Sequence, residues 1–363
     1  MGDLANQVAD LPSEAWAASV EREVRRRSDR FLTGLERYRH HPYRRDLDDP
    51  PAIWSEGDTR VLDYGASGDL PLFVVPSLIN RGYVLDLSRR QSFLRWLATQ
   101  GIRPLLVDWG APGEVERQYL LTDYIAGRLE RAFVAVSGGR PMPVLGYCMG
   151  GLLAAALAAR LDRGVSGLVL MATPWDFHAD GVDKARRLAS CYELWRGWIE
   201  PTGVLPLDAI QALFMALDPL LAVKKFSRFA AMDQDGPDAE AFVALEDWLN
   251  DGVPLAAAVA KTCLQEWYGE NSPAIGNWRI AGQVIDPAAL DLPSLHLIPA
   301  RDRIVPPASA RALAQAMRNA HIIEPTLGHI GMVVSGAAKP QVWAVIADWL
   351  KELPAPPPPA PCD

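Results

Sequence analysis

The sequence predicts an α/β fold: a mostly parallel sheet with helices on both faces and a helical cap insertion. Three observations carry that expectation. Short apolar runs of strand length alternate with longer helical stretches along most of the chain. This is the pattern of a parallel sheet covered on both sides. The alternation breaks between about Trp175 and Pro287, where the pattern turns helical and rich in large apolar residues. Finally, an apolar strand runs straight into Gly146-Tyr147-Cys148-Met149-Gly150-Gly151, and a small-residue helix, Leu152 to Leu161, runs out.

Taken in order, residues 1–45 are polar and helical in pattern. Nine arginines lie between Arg22 and Arg45, interleaved with Glu21, Glu23, Asp29 and Glu36. That spacing reads first as a solvated helical face, with a docking surface for a partner as the alternative. Strands are expected at Arg60–Tyr64, Leu72–Pro76, Pro104–Asp108, Pro143–Gly146, Gly167–Met171, Ser294–Ile298 and His321–Glu324. Helices are expected at Ser88–Gln100 and Thr122–Val136, each opening on a hydroxyl residue as its N-cap. The divisions that follow are a helical segment (1–45), a first core part (46–174), a cap (175–287), a second core part (288–353) and a Pro-rich tail (354–363). The tail, Pro-Ala-Pro-Pro-Pro-Pro-Ala-Pro, cannot build helix or sheet and is expected to be extended or disordered.

With 363 residues, 49% hydrophobic and 22% charged, the chain can bury a large core as one α/β domain with an insertion. A net charge of −8 gives no reason to expect nucleic acid. Cys148, Cys191, Cys263 and Cys362 have neither metal-ligand spacing nor the density of a disulfide framework. No metal site is expected, and a reducing, cytoplasmic setting is. Residues 1–23 lack the apolar core of a signal peptide. The best apolar stretch, Met149 to Ala159, stops at Arg160, so no transmembrane segment is expected.

A side chain held between glycines at a strand-to-helix turn is a nucleophile elbow. The helix start aims backbone N–H groups at it, which favours a thiolate and later an oxyanion. Cys148 is therefore the candidate nucleophile. Asp302 follows the strand ending near Ile298, and His329 follows the strand ending near Glu324. Nucleophile, acid, histidine is the chain order of α/β-hydrolases, and both late residues would stand at the carboxyl edge of one sheet. In this reading His329 takes the Cys148 proton and Asp302 orients the imidazole. The oxyanion donors are the N–H of Met149 and one from Ser77 or Leu78 after the Leu72–Pro76 strand. A thiol nucleophile exchanges one thioester for another, a nearly balanced step. It suits an enzyme that holds an activated acyl group and passes it on. The apolar cap would keep water out.

Several stretches resemble one family, the polyhydroxyalkanoate synthases. They are Pro76-Ser77-Leu78-Ile79-Asn80-Arg81-Gly82-Tyr83-Val84-Leu85-Asp86-Leu87, Val107-Asp108-Trp109-Gly110, Gly146 to Gly151, Glu246 to Asp251, Asp302 to Pro307, and Gly328-His329-Ile330. The resemblance covers about residues 50–350, and the length is like the short class III catalytic subunit. It implies a cytoplasmic acyltransferase that takes 3-hydroxyacyl-CoA and grows a polyester, needing no cofactor beyond that thioester. It also implies a second synthase subunit or a homodimer mate, and a polyester granule surface, as partners. Carried over by motif, Cys148 is similar to the acyl-accepting cysteine, Asp302 to the acid and His329 to the base. Tyr147, His178 under the cap and Asp251, which matches a family position, are substrate-binding candidates. Two departures stand out. Gly-Tyr-Cys-Met-Gly is also close to the cysteine elbow of dienelactone hydrolases, and Gly331 to Gly336 lacks an expected Asn-Pro. The alternatives are a cysteine-elbow hydrolase acting on an ester, lactone or stored polyester, and a catalytically silent granule protein. His296, within an apolar strand, reads as a core histidine.

Overall fold

The computed structural model describes residues 13–65 and 70–354. The tail beyond Pro354, with Cys362, and residues 1–12 lie outside them. The described residues form two compact units.

The first unit joins the described residues up to Arg45 with Asp218–Asp247. Its long helix α1 (Ser13–His40) carries the arginine-rich face, and Glu23 bonds Arg26 and Arg27 along the surface. The apolar side of α1 packs through Phe31 and Tyr38 on Phe226. At Gly34 any side chain would collide with the backbone of Phe226. The segment expected as one cap from 175 to 287 is thus divided, because Phe226, Phe229 and Phe242 build a separate small core here.

The second unit spans Asp46–Leu217 and the described residues from Trp248 on. Eight strands form its sheet: β1 (Ala52–Glu56), β2 (Thr59–Asp63), β3 (Leu70–Val75), β4 (Ile102–Asp108), β5 (Met142–Tyr147), β6 (Val165–Met171), β7 (Ser294–Leu297) and β8 (Ala320–Ile323). Their order is β1-β2-β4-β3-β5-β6-β7-β8. β2 runs antiparallel to both β1 and β4, and the pairs from β4 to β8 are parallel. The central strands are apolar along their whole length because helices cover both faces; every residue of β5 is buried. β1 escapes the sequence pattern because it is a mostly exposed edge without a continuous apolar run.

Among the helices, α2 (Phe93–Thr99) is capped by Ser92, whose Oγ accepts from Arg95 N–H at 3.0 Å. The cap expected at Ser88 is displaced there, since Ser88 sits in the preceding turn with its Oγ accepting from Gln91 N–H. The stretch expected from Thr122 forms a π-helical turn, Asp123–Leu129, running into α3 (Glu130–Ser137). Thr122 makes no cap; its Oγ1 accepts from Ala281 N–H instead. Helix α4 (Met149–Leu161) follows β5 directly and is buried almost throughout. After β6 come α5 (Val182–Thr202) and α6 (Leu207–Leu217), and a further helical stretch covers residues 257–269.

Candidate active site

Cys148 lies between the end of β5 and the start of α4 with a φ of +56°, a left-handed backbone rare for a side-chain-bearing residue. Its N–H donates to Met171 O at 2.8 Å, and its carbonyl accepts from Gly151 N–H at 3.0 Å. The surrounding glycines are required by close approach. A side chain at Gly146 would strike the Gly150–Gly151 backbone, one at Gly150 the Val75 and Pro76 backbone, and one at Gly151 the Thr173 side chain. This packing drives the start of α4 against the end of β3. Met149 opens α4, so its N–H has no acceptor inside the helix.

The loop after β3 is held in place beside that helix start. Trp109 Nε1 donates to Pro76 O at 3.1 Å, and Ile79 N–H donates to Ser77 Oγ at 2.9 Å. Ser77 and Leu78, both buried, therefore adjoin the elbow.

Asp302 and His329 meet from separate loops beyond β7 and β8. His329 Nδ1 donates to Asp302 Oδ2 at 2.7 Å. The other carboxylate oxygen accepts from Ile304 N–H at 2.8 Å and Val305 N–H at 2.9 Å. With its side chain fully buried, the Asp302 carboxylate has no freedom to turn. Burial alone would lower the pKa of this imidazole. The neighbouring Cys148, the hydrogen bond to Asp302 and the Asp302 charge outweigh burial and raise it to about 10.

The three further candidates each hold partners of their own. Tyr147 is buried behind the pair; its O–H donates to His329 O at 3.2 Å, and the two rings lie 5.3 Å apart. Burial, then the charges of Cys148 and Asp302, pushes its pKa well up, so this O–H remains a donor. His178 Nε2 donates to Tyr268 O at 2.9 Å and its N–H to Asp176 Oδ1 at 2.9 Å, tying two segments together. Asp251 is exposed, and its two oxygens accept from Arg81 Nε and Tyr83 O–H at 3.1 Å each. None of the three lines the neighbouring cavity.

That cavity, of about 140 Å³, lies beneath α5, α6 and residues 257–269. Its wall is mostly apolar, with Leu188, Ile210, Leu213 and Phe214 on the cap side. Ile79 from the loop after β3 and Ile304 and Val305 from the Asp302 loop complete it. Cys263 and Tyr268 also face it. Both sense the Cys148 charge, which adds to burial in pushing their pKa values up, so each stays protonated. The sequence pattern flagged the cap as apolar but gave no signal for Cys263 or for Ile304 and Val305, since nothing local marks them as cavity-facing. Among the described residues no cluster of His, Cys, Asp or Glu could hold a metal ion.

Residues 97–335 match the family model of the α/β hydrolase fold. The poly(3-hydroxyalkanoate) polymerase subunit PhaC of Haloarcula marismortui is 30% identical over 318 residues, covering 83% of this chain and 67% of that protein. The chain belongs to the poly(3-hydroxyalkanoate) polymerase family of α/β hydrolases. A PhaC subunit of Haloferax mediterranei is 29% identical over 310 residues, or 83% of this chain, which spans 63% of that relative's length. That of Allochromatium vinosum is 28% identical over 298 residues, 78% of this chain and 81% of the relative. Among solved structures, a monoacylglycerol lipase from Paleococcus ferrophilus superposes with a TM-score of 0.55 at 16% identity, covering 81% of this chain and 98% of that one. BpoC, a non-heme bromoperoxidase from Mycobacterium tuberculosis, gives 0.52 at 18% identity, covering 85% and 100%. At such identity these likenesses speak to the fold alone.

Proposed function

We propose that this polymerase-family member is an acyltransferase that joins 3-hydroxyacyl-CoA units into a polyester through a Cys148–His329–Asp302 triad. The observations that carry the reading are the 2.7 Å His329–Asp302 hydrogen bond and the left-handed elbow at Cys148, both at the carboxyl ends of strands of one sheet. The names of the polymerase relatives support the substrate class.

In this mechanism the Cys148 thiolate attacks the thioester carbonyl. The oxyanion is held by the N–H of Met149 and that of Ser77 or Leu78. The bond to the CoA sulfur breaks, and the departing thiolate takes the His329 proton. The acyl group now rests on Cys148 as a thioester. The hydroxyl of a second 3-hydroxyacyl unit then attacks that carbonyl. His329 takes its proton, an ester bond forms and the Cys148 sulfur leaves as thiolate. Asp302 keeps the ring in one tautomer and steadies its charge in both halves. The apolar cavity holds the acyl chain and limits water, which would divert the acyl-enzyme to free acid. The cap must shift for a growing chain to leave. A cytoplasmic setting, a second subunit or homodimer mate and a polyester granule surface belong to the same proposal. No cofactor beyond the CoA thioester is invoked.

Product analysis tests it. Purified protein incubated with 3-hydroxybutyryl-CoA should release CoA and yield oligomeric or polymeric ester. Release of CoA with free 3-hydroxybutyrate as the only product would replace this reading with the hydrolase one.

A further inference from the structure

The loop between Pro76 and Tyr83 is anchored at both ends by side chains outside it. At its start, Trp109 Nε1 holds Pro76 O at 3.1 Å. At its far end, Trp248 Nε1 donates to Arg81 O at 2.7 Å. Three residues on, the Asp251 carboxylate spreads over two donors of the same loop, Arg81 Nε and Tyr83 O–H, each at 3.1 Å. The chain between these anchors is strained: Asn80 has a φ of +65°. It is also pressed, since a side chain at Gly252 would sit 3.0 Å from Asn80 Oδ1 and strike Leu207. Between the anchors lie the N–H groups of Ser77 and Leu78, beside the Val75–Pro76 backbone that packs on Gly150 of the elbow.

We propose that Asp251, together with Trp248, is a positioning residue that fixes the far end of this loop, so that a Ser77 or Leu78 N–H stays aimed at the oxyanion formed on Cys148 attack. The proposal rests on the reading of Cys148 as nucleophile. Its reasoning is one of exposure and geometry. The Asp251 side chain is 51% exposed and its Arg81 partner 37%. Ion pairs in such settings add little to stability. A carboxylate that contributes little there, yet binds two donors of one strained loop, acts on where the loop sits. Oxyanion donors lose their effect with small displacements, because they must match the place the charge will occupy.

The test compares two reactions of the same sulfur. Alkylation of Cys148 by iodoacetamide uses the thiolate but no oxyanion. Acylation by 3-hydroxybutyryl-CoA uses both. Asp251→Ala should slow the acylation burst by about ten- to a hundredfold, with KM and the alkylation rate changed by less than about twofold. Tyr83→Phe, which deletes one donor and disturbs folding least, should shift the same ratio in the same direction by a smaller factor. Asp251→Glu, able to accept from both donors, should recover part of the lost rate. Acylation at the wild-type rate in both Asp251→Ala and Tyr83→Phe overturns the proposal. So does a parallel fall of both reactions, which is the mark of general disruption. If alkylation of the wild-type Cys148 leaves turnover intact, the nucleophile reading itself fails and this proposal with it, whatever the variants do.

Discussion

At Cys148 the left-handed backbone and the glycine contacts serve one end, a sulfur held still at the end of β5. Burial opposes the charged His329 ring, and the Cys148 charge is the largest opposing influence. Removing the charge should therefore let burial count for more. In Cys148→Ala, or after alkylation, the His329 pKa should fall from about 10. The check is an NMR titration of the imidazole C–H signals from pH 5 to 11. A His329 that titrates unchanged in Cys148→Ala would remove this coupling from the account. The turn at Cys148 and the places of Asp302 and His329 beyond β7 and β8 were legible in the sequence because each lies just after a strand in a short motif. The side-chain partners of Tyr147, His178 and Asp251 were not legible because they are distant in the chain. Nothing near Tyr147 in sequence announces the His329 carbonyl it binds, 182 residues away.

At the scale of elements, the buried strands were readable as continuous apolar runs, since parallel strands covered on both faces have no polar side. β1, an exposed antiparallel edge, had no such signature. β7 carries a pH prediction. His296 is buried beside Ser294 Oγ, and burial lowers its pKa to about 4. That is below the unfolded value of about 6.5. Between the two values the unfolded chain binds the extra proton, so stability is fully present above pH 6.5 and falls as pH drops through 4. The loss is roughly 3 kcal/mol at most. Replacing His296 with Leu should therefore narrow the gap in thermal midpoint between pH 7.5 and pH 4.5. A gap as wide as that of the wild type would assign the acid sensitivity elsewhere. On the cap side, α6 contributes Ile210, Leu213 and Phe214 to the cavity. Leu213→Trp should crowd that space. The kcat/KM for longer 3-hydroxyacyl thioesters should fall by about tenfold or more, and that for 3-hydroxybutyryl-CoA by much less. Equal losses across a chain-length series would place the acyl chain outside this cavity.

For the whole molecule, composition and strand–helix alternation were enough for the fold class, but not for its division into units. The aromatics between Trp195 and Phe229 look alike in sequence. In the structure Phe214 faces the cavity while Phe226 and Phe229 pack in the separate unit with α1. Only partners far along the chain separate them. The contact at Gly34 makes that unit testable, because a side chain there meets the Phe226 backbone. Gly34→Val should raise the rate of protease cleavage within α1 several-fold, as read by mass spectrometry of limited digests; cleavage at the wild-type rate would mean that α1 is not held by this packing. The central claim is the covalent one, that the acyl group passes through Cys148. It is tested most directly by quenching the reaction with 3-hydroxybutyryl-CoA in acid and mapping the acyl group by peptide mass spectrometry. The account predicts a 3-hydroxybutyryl thioester on the peptide carrying Cys148, with oligomeric extensions of it, and no adduct in Cys148→Ala. Acylation at another residue, or polymer formed by Cys148→Ala, would contradict it.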